Sequence, residues 1–342
     1  MAWISPTPSR SVLTGAIRNC GFAGVGTASV DRVLNNRPGV KANTRNAVQA
    51  AIAKLTHDGG MGDGTLDIRL FCESGVSFNG TMETAAQRAN RTVPGVHITG
   101  HYEVTHESDP ARFARRIEDE GAEADGVIVV AREHPATNRA VRKLVAAGLP
   151  VLCLTTDLPS SRRSGYVGND QTAAGCVAAQ LIGQILPREI RSILLVMSVP
   201  FRSQLEREMG FRRVLRTEFP HLRIEERILA DDSPETTFRQ VMSHIETHGA
   251  PAAVYNTAGA NRGVAQAIEA IGLTDQVIFV GHELTPISRG LLENGMMDYV
   301  ISHDFTMEVA AAAKFIRDFA AGEMAASVTT PILIHTRYNC GL

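Results

Sequence analysis

The sequence predicts an N-terminal all-α helix-turn-helix headpiece followed by an α/β core of two doubly wound parallel-sheet lobes. Three observations carry that expectation. Charge is segregated: residues 1–57 hold seven Lys and Arg against one acidic residue, a net +6, whereas the remainder holds 27 basic against 35 acidic residues, a net −8. Two short helical stripes flank a breaker cluster inside the basic part. From Leu66 onward, strand-like apolar runs alternate with helical patterns.

In the head, Val30, Val33 and Leu34 fall at i, i+3 and i+4, one face of a helix that starts near Thr27. Asn35-Asn36-Arg37-Pro38-Gly39 ends it. Asn43 suits an N-cap, and Ala47, Val48, Ala51, Ile52 and Leu55 form the next stripe. A basic pair of helices on an acidic chain points to a polyanion partner. Gly24-Val25-Gly26-Thr27-Ala28-Ser29 superficially matches a dinucleotide fingerprint, but the residues before it do not read as the buried strand that fingerprint follows.

The core reads as alternating elements: strand 66–72, helix 80–91, strand 96–100, helix 109–120, strand 126–130, helix 135–147 and strand 150–154. Helix 172–186, strand 192–197, helix 203–219 and strand 223–229 follow. The series ends with helix 234–247, strand 252–255, helix 261–271, strand 277–281 and helix 306–321. Such alternation builds parallel sheets covered on both faces. Roughly 275 residues exceed one compact core, hence two lobes.

Other classes find little support. No run of 18 apolar residues suits a membrane span. The N-terminal stretch lacks a signal-peptide pattern, so a cytoplasmic location is expected. The five cysteines are scattered, odd in number and never spaced C-x-x-C, which argues against a disulfide framework or zinc knuckle. His244 and His248 stand at i and i+4, but the Glu between them is displaced from its metalloprotease place, so two exposed histidines on a helix are expected and no metal. No nucleophile elbow or phosphate-loop Lys is present. Neither an enzyme nor a cofactor is expected.

The stretch AGVGTASVDRVLNNRPGVKANTRNAVQAAIAKL resembles the DNA-binding headpiece of the lac repressor/galactose repressor family over about 33 residues. Ala23-Gly24-Val25 take the place of the family's turn, and 29–35 that of the recognition helix. The resemblance implies that Thr27, Ala28 and Arg32 face base edges while Ser29, Asn35 and Thr44 contact phosphates. Two departures stand out. The segment Ile17-Arg18-Asn19-Cys20-Gly21 is more polar than the family's first helix, and the glycine-rich linker offers no Leu wedge for the minor groove.

The body resembles the type 1 periplasmic-binding-protein-like core of the same repressors, closest to the ribose-binding branch. Its anchors are Asp125-Gly126-Val127-Ile128-Val129, Gly148-Leu149-Pro150-Val151, Tyr166-Val167-Gly168-Asn169-Asp170, Glu206-Arg207-Glu208-Met209-Gly210-Phe211 and Val280-Gly281-His282-Glu283. The expected domains are a DNA-binding head at 1–57, a linker at 58–65 and a ligand-binding core at 66–342. Lobe one is expected at about 66–188 and 304–327, and lobe two at about 189–303 and 328–342. Ligands of such folds sit between lobes, at the carboxyl ends of strands. Those ends offer Ser77, Phe78, Asn79, His134, Asp157 and Arg163, then Arg207, Asn256, Glu283 and His303. By the resemblance, Arg207 stands where the ligand-binding Arg does, Asp157 and Glu283 where hydroxyl acceptors do, and His303 in place of a Gln.

The resemblance thus implies a sequence-specific transcriptional regulator, a repressor, that binds double-stranded operator DNA as a homodimer and responds to a small sugar or polyol. Two alternatives stay open. A solute receptor without DNA binding leaves the basic head unexplained. An enzyme on the same fold is not excluded by fold alone.

Overall fold

The computed structural model describes residues 64–341, apart from 200, 225 and 226, and in the head only 32, 33, 37, 39–41 and 44. Its first sheet carries β1 (Leu66–Ser74), β2 (Val96–Val104), β3 (Gly126–Val130), β4 (Val151–Leu154), β5 (Gly165–Gly168) and β12 (Val328–Thr329), in the order β12-β5-β4-β3-β1-β2. Every pairing in it is parallel. The second sheet orders β13 (Leu333–His335), β11 (Tyr299–Ser302), β10 (Ile278–His282), β9 (Ala253–Asn256), β6 (Arg191–Met197) and β7 (Leu222–Ile224), with β8 (Ile228–Leu229) also on β6. Only β13 runs antiparallel there, among the described strands.

The helices are α1 (Val76–Thr92), α2 (Pro110–Gly121), α3 (Pro135–Ala146), α4 (Gln171–Ile185), α5 (Arg202–Glu218), α6 (Pro234–His248), α7 (Asn261–Ala270), α8 (Pro286–Glu293) and α9 (Phe305–Ala320). Four of them start on a proline, whose fixed φ suits the first helical position.

Each sheet is buried on both faces, so its central strands are continuous apolar runs. In β3, Ile128 and Val130 join one core with Ile68, Leu70 and Met82, while Val127 and Val129 join Phe71 and Phe113 on the other face. In β6, Ile193, Leu195 and Met197 face α4 and α5, whereas Leu194 and Val196 face α6 and α7. Burial of one such side chain stabilises the fold by about 1.5–3 kcal/mol.

The chain crosses between lobes three times, and two crossings differ from expectation. Helix α4 packs Ala174, Ala178, Ala179 and Ile182 against Ile193, Leu195 and Phe211, so it completes the second lobe. The first crossing therefore falls at 169–170, not near 188. Gly175 and Gly210 explain the packing: a Cβ on Gly175 would lie 1.9 Å from the Arg207 carbonyl oxygen, and one on Gly210 2.0 Å from that of Thr172. The second crossing, at 303–304, sends α9 to the first lobe, where Val309, Ala312 and Ile316 join Ile68 and Leu70. Strand β12 pairs with β5 in that lobe too, so the third crossing follows Thr329 rather than residue 327.

The periodicity missed β5, β11, β12, β13 and α8, each of them short. The expected strand at 223–229 is two pieces, β7 and β8. His244 is buried, not exposed, and its ring stacks on that of His248 at 4.5 Å. No described helix is long and apolar enough to cross a membrane.

Candidate functional site

Both sheets aim the carboxyl ends of their strands at one cavity of about 280 Å³ between the lobes. The first lobe supplies Ser77 and Phe78 from the first turn of α1, Val130 at the end of β3, and Thr155 and Thr156 after β4. The second supplies Phe201, Ser203, Gln204 and Arg207 around α5, Asp232, Asn261 and Arg262 at the start of α7, and His282 and Glu283 at the end of β10. Across the gap, the Ser203 amide donates to Thr156 Oγ1 at 3.3 Å. A Cβ on Gly75 would stand 3.6 Å from that of Asp232. The lobes therefore touch at the rim.

Backbone strain gathers here. Five described residues other than glycine have positive φ, and four of them, Thr155 (60°), Asp232 (66°), Ala260 (55°) and Glu283 (66°), line the cavity. A left-handed residue with a Cβ costs about 1–2 kcal/mol, so the surrounding packing holds these loops in place.

A buried chain of charge runs from the cavity wall into the crossings. Arg207 donates through Nε to Gln171 Oε1 (2.7 Å), through Nη1 to the Thr257 carbonyl (3.0 Å) and through Nη2 to Glu283 Oε1 (2.6 Å). His303 Nε2 lies 2.8 Å from Glu283 Oε2, and its Nδ1 lies 2.8 Å from Glu308 Oε2. Glu308 also accepts from Thr155 Oγ1 (3.2 Å) and Thr330 Oγ1 (2.5 Å). Gln171, His303 and Thr330 sit at the three crossings, so one network joins all of them to the wall.

Two cations face two carboxylates in this chain, and the titration follows. Burial opposes the charge on His303, but the carboxylates of Glu308 and Glu283 on either side outweigh it and raise its pKa. Burial likewise opposes charge on Glu283, yet His303 and Arg207 hold its carboxyl well below the usual range. His282 is held far below its ordinary value, first by burial and then by the Arg207 charge. Burial pushes the Asp232 carboxyl up, although the Gly259 amide donates to it at 3.0 Å.

Four of the ten residues expected to bind ligand stand on the wall: Ser77, Phe78, Arg207 and Glu283. The other six do not. Asn79 lies behind it, donating to the carbonyls of Ser74 and Glu103. His134 caps α3 by accepting from the Ala136 amide at 3.2 Å. Asp157 and Arg163 form a two-point ion pair with each other, one contact at 2.6 Å. Asn256 bridges Gly259 and Asn261, both at 2.7 Å, and so shapes the loop before α7. His303 stands behind Glu283. Thr155, Thr156, Ser203, Asp232, Arg262 and His282 line the wall without having been named as ligand contacts from the sequence. The carboxyl-end rule pointed at their loops, but not at which loop residue turns inward.

In the head, Thr27, Ala28, Ser29 and Asn35 lie outside the described residues. Arg32 and Thr44 have helical backbone; Arg32 is exposed and Thr44 half-buried, while Val33 beside Arg32 is buried.

Known proteins place both parts. Residues 71–324 match the periplasmic binding protein domain family, and residues 21–57 match the bacterial regulatory proteins of the lacI family. Among solved structures, GanP, a glucose-galactose binding protein from Geobacillus stearothermophilus, superposes with a TM-score of 0.72 at 20% identity, over 81% of this chain and 99% of its own. An ABC transporter solute-binding protein from Burkholderia graminis, in complex with D-arabinose, gives 0.74 at 18%, over 82% and 98%. One from Bacillus halodurans with bound myo-inositol gives 0.70 at 18%, over 82% and 98%. At such identities the likeness is one of fold. No curated protein sequence matches the chain.

Proposed function

The chain belongs to the periplasmic binding protein domain family and carries a lacI-family regulatory domain ahead of it, and from that premise we propose a cytoplasmic, homodimeric regulator that binds operator DNA under control of a sugar or polyol held between the lobes. One observation carries the reading: a DNA-reading head at residues 21–57 and a two-lobed, ligand-sized cavity stand in one polypeptide. A receptor without DNA binding leaves that head without a task.

The chemistry of the wall supports a small polar ligand. Arg207 uses three of its five N–H groups inside the protein and keeps two. Ser77, Ser203 and Thr156 add hydroxyls, and Phe78 and Phe201 cover an apolar face. Arg32 is exposed and able to take guanine through two hydrogen bonds. Ligand then shifts DNA affinity by as much as it prefers one arrangement of the lobes over the other.

The test is a binding titration of the full chain on DNA from beside its own gene, at two salt concentrations, with and without a panel of sugars. A specific reader gives nanomolar-range binding that weakens steeply with salt, and one panel member changes it. Binding that is indifferent to DNA sequence and to every sugar overturns the reading.

A further inference from the structure

Nine α-helices stand among the described residues, and six of them cap their own amino ends: Asp109, His134, Asp170, Ser233, Thr285 and Asp304 each accept a backbone N–H from the helix they start. Helices α1, α5 and α7 have no such bond; their N-caps are Gly75, Phe201 and Ala260. All three of those N-caps line the cavity. Each brings the positive end of a helix dipole to the ligand space, although the Ser203 amide in the first turn of α5 already donates to Thr156 Oγ1. Asp232 lies against Gly75 and takes the Gly259 amide in the loop before α7, and Thr156 takes the Ser203 amide, which leaves the remaining first-turn amides of α5 and α7 to a ligand.

A second, independent observation comes from His282, which is 2% exposed and stands on the cavity wall. Its Nε2 is 2.8 Å from the hydroxyl of Tyr255, a fully buried group with no other partner among the described residues. With the hydroxyl as donor, its proton is satisfied by Nε2. In that tautomer the ring proton of the neutral imidazole resides on Nδ1, which has no partner among the described residues. Ser203, 7% exposed, also lines the cavity with a hydroxyl that has none. The exposed Arg262, in the first turn of α7, adds a guanidinium with no partner among the described residues. These groups donate. The carboxylates of the wall are committed elsewhere: Glu283 to Arg207 and His303, Asp232 to Gly259.

We infer that the effector is anionic, a polyhydroxylated carbon skeleton bearing a carboxylate or phosphate whose oxygens are taken by His282, Arg262 and the amino ends of α5 and α7. The inference rests on the ligand-sensing reading above and narrows it from sugars at large to sugar acids and sugar phosphates.

The experiment is thermal denaturation and calorimetric titration of the full chain against matched sets: neutral sugars (D-glucose, D-galactose, D-arabinose, myo-inositol), their acids and their monophosphates. At least one acid or phosphate binds tenfold or more tightly than its neutral parent, and the arm that responds distinguishes carboxylate from phosphate. Added salt weakens that binding. Arg262→Ala, a change at an exposed side chain, leaves the melting temperature of the ligand-free protein in place and lowers affinity for the anion by about tenfold. Neutral parents binding as tightly as their anions, with Arg262→Ala silent, overturn the anionic assignment and leave sugar sensing intact. No binding in any set, with DNA binding intact, removes the ligand reading and the anion with it.

Discussion

Arg207 is the residue on which the wall turns, because three of its bonds hold Gln171, the Thr257 carbonyl and Glu283 together. Arg207→Ala leaves Glu283 buried beside His303 alone. The expected cost is about 3–5 kcal/mol of stability, read by urea denaturation, together with loss of any ligand-induced rise in melting temperature. Its neighbour His303 makes stability depend on pH. Its folded pKa is raised above the unfolded value near 6.5, so its contribution is complete below that value and fades as pH rises through the folded one. Urea midpoints measured from pH 6 upward therefore decline more steeply for the native chain than for His303→Gln, which removes the charge. Parallel curves contradict the charged His303. The sequence marked both residues, but it grouped His303 with ligand contacts. Only the packed structure shows it behind Glu283 and against Glu308.

At the scale of elements, glycines separate a constrained helix from an open one. Helices α4 and α5 meet at Gly175 and Gly210, where a Cβ would enter the partner helix's backbone. Gly175→Ala forces the pair apart at the turn that carries Arg207. Destabilisation of about 1–3 kcal/mol and a weakened ligand response are expected in the same melts. Gly80 in α1 is exposed, and a Cβ there would meet nothing within 4 Å, so Gly80→Ala stabilises by about 1 kcal/mol. If the two changes behave alike, close helix contact is not what Gly175 provides. Several elements were legible from their pattern, since a helix such as α2 repeats it several times and β3 is an unbroken apolar run. Strands of two to four residues like β5, β11 and β12 hold one or two repeats and cannot be told from loop.

Across the whole molecule, the two activities separate by residue. Arg32→Ala weakens operator binding by about 1–3 kcal/mol and relaxes sequence preference, while ligand-induced thermal shifts of the core stay unchanged. Gel shifts and melts on the same preparation check both halves; a lost thermal shift contradicts the division. That division was already plain in the primary structure, because charge segregation, helix signals and strand–helix alternation are local properties of neighbouring residues. So was the general place of the cavity, at the loops that follow strands. Tertiary structure alone decided which lobe α4 and β12 complete, since that depends on two glycines meeting backbone and on a pairing with β5 far away in the chain. It alone decided which polar side chains face the cavity and which face one another. Asp157 and Arg163 neutralise each other, whereas His282 stands on the cavity wall, because a partner's distance in space is not written in its distance along the chain.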